Sequence, residues 1–410
     1  MIPRNQYLRK IEAGFTNNPI VVLTGARQVG KTTLMELFML GKKCLWLNGQ
    51  NPEIAQVFER FSTLERYLQL NINTQLAGWL AIDEFQYINK VSVMLKLLVD
   101  KYKKLNILCS GSSSLQILQE VEESLAGRVR IVPVYSLSFL EYVAFVDNDL
   151  GEKLLNCSIY DDVNTLLPKV PVLLDEYLVY GGLPKVVLAR NTLEKQELLN
   201  DIYQTYLLRD VRQFIENKDV VAFNKLLRLL AAGIGQLLNI NELSRTIRLP
   251  YKTCEEFLYV LEQMFIIRMV QPYYQNKRKE ISKMNKLYFC DNGLRNVVFN
   301  SFNGMDYRLD NGALFENYVY LQLLQYIRPD QVCFYRTKDG TEIDFVMQGQ
   351  GETVIPVEVK YKSVIRYAKI RAITEFRKSA VFDQAYVVNL TLSQSQENLH
   401  YVQPYILNNL

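Results

Sequence analysis

The chain has little of what several chemistries require. Among 410 residues there is a single histidine, His400, and the six cysteines contain no Cys-x-x-Cys pair. Histidine-based metal centres and Ser-His triads therefore have almost nothing to be built from. Cys44, Cys109, Cys157, Cys254, Cys290 and Cys333 are scattered, mostly within apolar runs. They are expected as reduced core residues of a cytoplasmic protein, not as a disulfide frame or zinc site. His400 lies in a Tyr-rich tail and is expected to be structural or solvent-facing. The N-terminus lacks the apolar core of a signal peptide, and no run approaches the roughly 18 apolar residues of a membrane span. No membrane partner is expected. Charge of one sign is also scarce, since 47 Lys and Arg face 43 Asp and Glu for a net +4. Where the basic residues sit therefore matters more than their sum. The length calls for two to four domains.

What is present is most informative near the start. The apolar run from Pro19 ends in Gly25-Ala26-Arg27-Gln28-Val29-Gly30-Lys31-Thr32-Thr33, and a helical pattern follows. Strand, glycine-bearing loop and helix N-terminus in that order form a phosphate site. The loop and the first helical turn offer unpaired N–H groups to anionic oxygens. Gly25 and Gly30 permit backbone angles that a Cβ would block. Lys31 is placed to reach the β- and γ-phosphates, and the Thr32 hydroxyl to ligate Mg²⁺. A nucleoside triphosphate is the expected ligand.

Four more segments fit a parallel sheet covered on both faces: Lys43–Asn48, Trp79–Glu84, Asn106–Ser112 and Val129–Tyr135. The Trp79 run ends in Asp83 and Glu84, 52 residues after Lys31. Adjacent residues at a strand end point in different directions, so Asp83 suits the metal and Glu84 the attacking water. Ser110 or Ser112, ending the next strand, could sense the γ-phosphate.

This half resembles the AAA+ and related STAND ATPases. The whole chain is similar to the bacterial and archaeal family that joins such an ATPase to a C-terminal domain of unknown function, DUF4143. The likeness rests on residues 25–33, Ile82-Asp-Glu-Phe-Gln86, Ser110-Gly-Ser-Ser-Ser114 and Ser124-Leu-Ala-Gly-Arg-Val129. It continues through Leu137-Ser-Phe-Leu-Glu-Tyr142 and Tyr180-Gly-Gly-Leu-Pro184. The resemblance implies ATP as the nucleotide and Arg128 as an arginine finger, acting in cis or from a neighbouring copy of a homo-oligomer. It also implies that Gly182-Leu183-Pro184 touches bound ATP or ADP; a plain turn between helices is the alternative.

Residues 172–216 read as a helical lid, with Arg209 and Arg212 available to phosphate or to salt bridges with Asp210. Helical patterns then cover Phe223–Leu238, Asn241–Ile247 and Pro250–Met264. Ile266–Val270 and the run from Lys286 suggest a hairpin with the polar tip Asn276–Glu280. Three helices and a hairpin make a winged helix. From Arg245 to Arg295 ten Lys and Arg face five Asp and Glu, a net +5 in a chain of net +4. Basic charge is concentrated where a helix and wing could meet DNA phosphates. A packing module is the alternative.

In the C-terminal part Glu316 lies in a helical run, followed by Thr341–Met347 and Val354–Lys362 as two strands. Side-chain alternation puts Glu358 and Lys360 on one face. A hairpin would bring Asp344 near Glu358, a juxtaposition favourable when a cation or proton sits between them. Asp344, Glu358, Lys360 and Glu316 together resemble the PD-(D/E)xK nucleases, although Ile343 stands where that motif has proline. The resemblance implies that Asp344 and Glu358 hold Mg²⁺, that Lys360 serves the nucleophile and that Glu316 supports the metal.

The expected fold is α/β: a P-loop ATPase core with a parallel sheet (1–165), a helical lid (166–216), a winged helix (217–297) and a restriction-nuclease-like α/β domain (298–410). Two functions remain in view. One is an ATPase driving a DNA-binding, nuclease-like half. The other is a STAND-like switch that binds a protein partner and carries an inactive nuclease fold.

Overall fold

Ile20–Thr24 is buried at all five positions, a pattern that suits a strand covered on both faces. In the computed structural model, which describes residues 4–73, 75–111, 123–208, 220–274, 284–349 and 353–407, it is an interior strand, β1, of a five-stranded sheet. The others are β2 (Cys44–Asn48), β3 (Gly78–Asp83), β4 (Leu105–Gly111) and β5 (Val129–Pro133). Their order is β2-β3-β4-β1-β5, and every pairing is parallel. All five expected strands are present. The helices include α1 (Asn5–Asn17), α2 (Lys31–Met39), α3 (Phe61–Asn71) and α4 (Val91–Lys101). Leu64 and Leu68 of α3 and Leu95 and Leu98 of α4 join Val22, Leu80, Ile82 and Ile107 in one core. Because β1 and β3 are separated by β4, the carboxyl ends of three strands meet at one edge. That edge is where open α/β sheets bind ligands.

The chain divides into two units, Met1–Tyr135 with Gln263–Phe265 and Ser136–Glu262 with Ile266–Leu410. The second unit opens with α5 (Phe139–Val146), started by a capping box. Glu141 N donates to Ser138 Oγ at 3.2 Å, and Ser138 N donates to Glu141 Oε2 at 2.9 Å. The Leu-Ser-Phe-Leu-Glu motif thus has a local structural reason. After α6 (Val170–Tyr180) come α7 (Val220–Ala232), α8 (Ile240–Ile247) and α9 (Tyr251–Gln263). Strands β6 (Ile267–Val270) and β7 (Lys286–Phe289) then pair antiparallel. Three helices and a strand pair thus follow one another where expected; the tip 276–280, like Arg209, Asp210 and Arg212, lies outside the described residues.

Helices α10 (Asn292–Phe299) and α11 (Asn311–Leu323) lead into a second sheet. It contains β8 (Val332–Arg336), β9 (Glu342–Gln348), β10 (Val354–Lys360), β11 (Ala385–Asn389), β12 (Gln394–Gln396) and β13 (Leu399–Val402), in the order β12-β13-β11-β10-β9-β8. Strands β8, β9 and β10 are antiparallel neighbours, whereas β10, β11 and β13 run parallel. The short helix α12 (Arg371–Phe376) lies in the β10–β11 crossover, as a parallel connection requires.

His400 is buried, its Nδ1 2.9 Å from Ser395 Oγ, and is structural. All six cysteines are free. Among the described residues no helix is long and apolar enough to cross a membrane.

A buried ionic knot ties the helices of this unit together. Arg295 on α10 is fully buried, donates from Nε to Ala231 O at 2.8 Å and pairs with Asp310 at 2.5 Å. Arg308 also pairs with Asp310, at 2.9 Å. Arg295→Met leaves Asp310 with Arg308 as its partner but removes one ion pair and the bond to the Ala231 carbonyl, so it should lower stability by about 1–3 kcal/mol. A denaturant midpoint within error of wild type would show that the knot contributes nothing.

Candidate active site

The loop after β1 is fixed from both sides. Gly25 has φ +149°, and a Cβ there would lie 2.1 Å from the Val134 carbonyl oxygen. Gly30, at φ +91°, turns the chain into α2. Arg4 ties the far side of the loop, donating from Nη1 to Val29 O and to Tyr135 O at 3.0 Å each. Arg27 donates to the Tyr87 hydroxyl at 3.2 Å, Ala26 is buried, and Gln28 is exposed with φ +65°.

Lys31 begins α2 and is 6% exposed. Its Nζ donates to Gly25 O at 2.9 Å and to Ala26 O at 2.7 Å. Burial pushes its pKa down to about 8, against the opposing pull of Glu84 and Asp83. A buried ammonium supported by carbonyls and lacking a direct carboxylate bond suits an anionic phosphate oxygen.

Thr32 is exposed, and its hydroxyl donates to Asp83 Oδ2 at 2.9 Å. Thr33 is half-buried one position further along α2. Ser110, at the end of β4 between β1 and β3, donates to Asp83 Oδ1. Glu84 follows Asp83 in the left-handed region at φ +52°, a rare conformation for a residue with a long side chain. Gln86 Nε2 donates to Glu84 Oε2. The loop, Thr32, Asp83, Glu84 and Ser110 are therefore together at one sheet edge, and the donor set fits a triphosphate with Mg²⁺. Ser112 lies outside the described residues.

Arg128 is elsewhere. It immediately precedes β5, its carbonyl accepts from Ile20 N, and its guanidinium pairs with Asp100 at 2.7 Å. Ile20 is the first residue of β1, so Arg128 is at the opposite end of the sheet from the phosphate loop. Five residues of strand span about 16 Å, too far for an arginine to act in cis. Pro184 opens a four-residue helix within the second unit. The turn before it is held by Gly182 N donating to Asp291 Oδ2 at 2.9 Å and by Leu137 N donating to Gly182 O at 2.8 Å. These contacts give the Gly-Gly-Leu-Pro motif a packing role.

The second unit brings Asp344, Glu358, Lys360 and Glu316 into one neighbourhood. The β9–β10 register runs from Gln348↔Val354 to Phe345↔Val357, so Asp344 falls beside Glu358 as expected. Val359 N donates to Asp344 Oδ2 at 2.7 Å, and Lys360 Nζ donates to Glu358 Oε1 at 2.5 Å. Burial, then the Asp344 charge, raises the pKa of Glu316 and of Glu358 to about 7. Burial raises Asp344 as well. Among the described residues, however, no three His, Cys, Asp or Glu are arranged to hold a metal ion. The expected ligand Glu316 instead faces Lys286 and Tyr288. Neither was foreseen as a site residue, since a lysine opening an apolar strand carries no local signal. Arg4 and Asp291 were missed for the same reason, whereas Gln86 was visible in Asp-Glu-Phe-Gln.

The first unit's fold and site define a P-loop ATPase. A model of an AAA domain matches residues 17–143, and a model of a domain of unknown function, DUF4143, matches 311–405. Between them another domain of unknown function, DUF8612, matches 172–304. An uncharacterised protein of Mycobacterium tuberculosis is 26% identical over 390 residues, covering 93% of this chain and 78% of that one. One from Haemophilus influenzae is 26% identical over 376 residues, covering 88% and 87%. Among solved structures, a Walker-type ATPase of Pyrococcus abyssi aligns with TM-score 0.50 and 16% identity over 73% of this chain and 96% of that one. These matches support a P-loop ATPase with a C-terminal DUF4143 domain.

Proposed function

We propose that the chain couples Mg²⁺-dependent ATP binding and hydrolysis to a DNA-binding, nuclease-like C-terminal half. The observation that carries it is the convergence of Lys31, Thr32, Asp83, Glu84 and Ser110 on one sheet edge. Bound Mg²⁺ supplies charge neutralisation between phosphate oxygens. Thr32 and Asp83 hold that ion, Lys31 meets the β- and γ-phosphates, and the backbone of residues 25–33 cradles the chain. Glu84 Oε1 or Oε2 accepts the proton of the attacking water, with Gln86 fixing its carboxylate, and Ser110 orients the γ-phosphate. Arg128 serves only in trans, which requires a homo-oligomer. Different affinities of two states for ATP and ADP then drive the C-terminal half.

Support for DNA as partner is the order of three helices and a strand pair together with the net +5 of residues 245–295, although Lys286 and Arg295 among its ten basic residues are buried in ion pairs and do not contribute to that surface. Support for a nuclease-like fold is the order helix, three strands, helix, strand from α11 to β11, with Asp344, Glu358 and Lys360 adjacent. On this reading Asp344 and Glu358 hold Mg²⁺, Glu316 supports them and Lys360 positions the nucleophile. Asp344→Asn with Glu358→Gln should remove Mg²⁺-dependent DNA cleavage at least about a hundredfold while ATP turnover persists. A wild-type chain that cuts no DNA with Mg²⁺ or Mn²⁺ overturns the nuclease role.

One observation favours a second reading, a nucleotide switch with an inactive nuclease fold: the Lys286 ammonium already sits 2.9 Å from Glu316. Tightly held ADP and turnover indifferent to DNA would select it; DNA-stimulated turnover would reject it.

A further inference from the structure

Lys286 is the first residue of β7 and only 2% exposed, yet Leu287, Tyr288 and Phe289 after it are apolar or aromatic. Its surroundings are acidic. Nζ lies 2.9 Å from Glu316, 2.5 Å from Glu342 and 4.0 Å from Asp344. Two residues on, Tyr288 shares its face of the strand and donates to the same Glu316 carboxylate. The strand itself is held: Gly235 N donates to Leu287 O at 2.8 Å, and Lys286 is paired with Val270.

Burying an ammonium costs several kcal/mol unless close charges offset it. Burial alone would lower the Lys286 pKa; Glu316, Asp344 and Glu342 outweigh it and hold the lysine charged. The same carboxylates are hard oxygen donors of the kind that Mg²⁺ and Mn²⁺ take. A monovalent cation in contact with them opposes a dication by repulsion and by occupying their lone pairs. The cluster nevertheless retains capacity for positive charge. Glu358 is 6% exposed, and although Oε1 accepts from Lys360, its Oε2 is buried with no hydrogen-bond partner. An anionic oxygen so buried calls for a cation or a proton.

We propose that Lys286 is an internal counter-cation that competes with a divalent ion of the Mg²⁺ or Mn²⁺ class for Glu316 and Asp344, so that the cluster takes the ion only when the Lys286 ammonium withdraws from it. This deepens the nuclease-like reading of the same cluster and rests on it for the class of ion. It also gives the strand a coupling role. Lys286 and Tyr288 belong to the segment matched by DUF8612, while Glu316, Asp344 and Glu358 belong to DUF4143. The position of the Lys286 side chain therefore sets access to the carboxylates.

The test is Mn²⁺ binding to the full chain without nucleotide, followed by the loss of the free-ion electron paramagnetic resonance signal. Lys286→Met should bind one Mn²⁺ at least about tenfold more tightly than wild type, by removing a competing charge. Adding Asp344→Asn should abolish the gain. If Lys286→Met does not fold, Lys286→Met with Glu342→Gln restores the charge balance and carries the same expectation. Equal Mn²⁺ affinity in wild type and in the folded variant overturns the proposal, as does a gain that survives Asp344→Asn. DNA cleavage by the wild type is read separately. A gain in Mn²⁺ affinity without cleavage supports the lock and removes the nuclease role; cleavage without a gain removes the lock alone.

Discussion

Lys31→Ala is expected to abolish ATP turnover and to weaken nucleotide binding by at least about a hundredfold, because a buried charge-assisted contact to phosphate is lost. Loss of the charge by itself should not weaken the fold. Lys31 is 6% exposed, and its nearest acceptors are the carbonyls of Gly25 and Ala26. Its folded pKa of about 8 lies below the ordinary 10.5, so the folded state penalises the charged form. That penalty is fully present below pH 8 and is relieved as pH rises from about 8 toward 10.5; it is roughly 3 kcal/mol. Lys31→Met, which keeps volume and removes charge, should therefore match or exceed wild type in denaturant midpoint at pH 7. The advantage should shrink above pH 8. Titration with a fluorescent triphosphate and a pH series of unfolding curves check both halves. Retained affinity would remove the phosphate assignment, and a large loss of stability would make Lys31 a fold element.

Glu84→Gln should leave nucleotide affinity within about threefold of wild type and lower kcat by roughly 10²–10⁴, the usual range for loss of a general base. Glu84 sits at φ +52°, ψ +42°, a strained position that the end of β3 and the Gln86 contact maintain. Glutamine keeps size and hydrogen-bonding capacity but cannot take a proton at pH 7. Single-turnover rates with a nucleotide-binding control separate the two effects. An unchanged kcat would move the base elsewhere.

Much of the first unit was legible because its signals are local. Five apolar runs became five parallel strands, and the Gly25–Thr32 loop, Asp83, Glu84 and Ser110 converged as their strand-end positions implied. The β9–β10 hairpin register that sets Asp344 beside Glu358 also followed from side-chain alternation. Arg128 stood open between action in cis and in trans because a Gly-Arg before a strand does not say which end of the sheet it marks. The pairing of Ile20 with Val129 and the bond to Asp100 decide that. Gly182-Leu183-Pro184 stood open between a nucleotide contact and a turn between helices; the bond that holds its turn comes from Asp291, 109 residues away from Gly182 in sequence, and no local pattern announces it.

The order of chemistry was therefore set by sequence: where strands end, which residues lie in a phosphate loop and which charges alternate with apolar neighbours are consequences of spacing along the chain. Tertiary structure alone decided which charges meet. Arg4 holds Val29, Asp291 caps a distant glycine turn, and Lys286 enters a carboxylate cluster from another part of the chain. Each depends on burial, which makes an unpaired charge costly and so selects its partner from whatever the fold brings near, regardless of sequence distance.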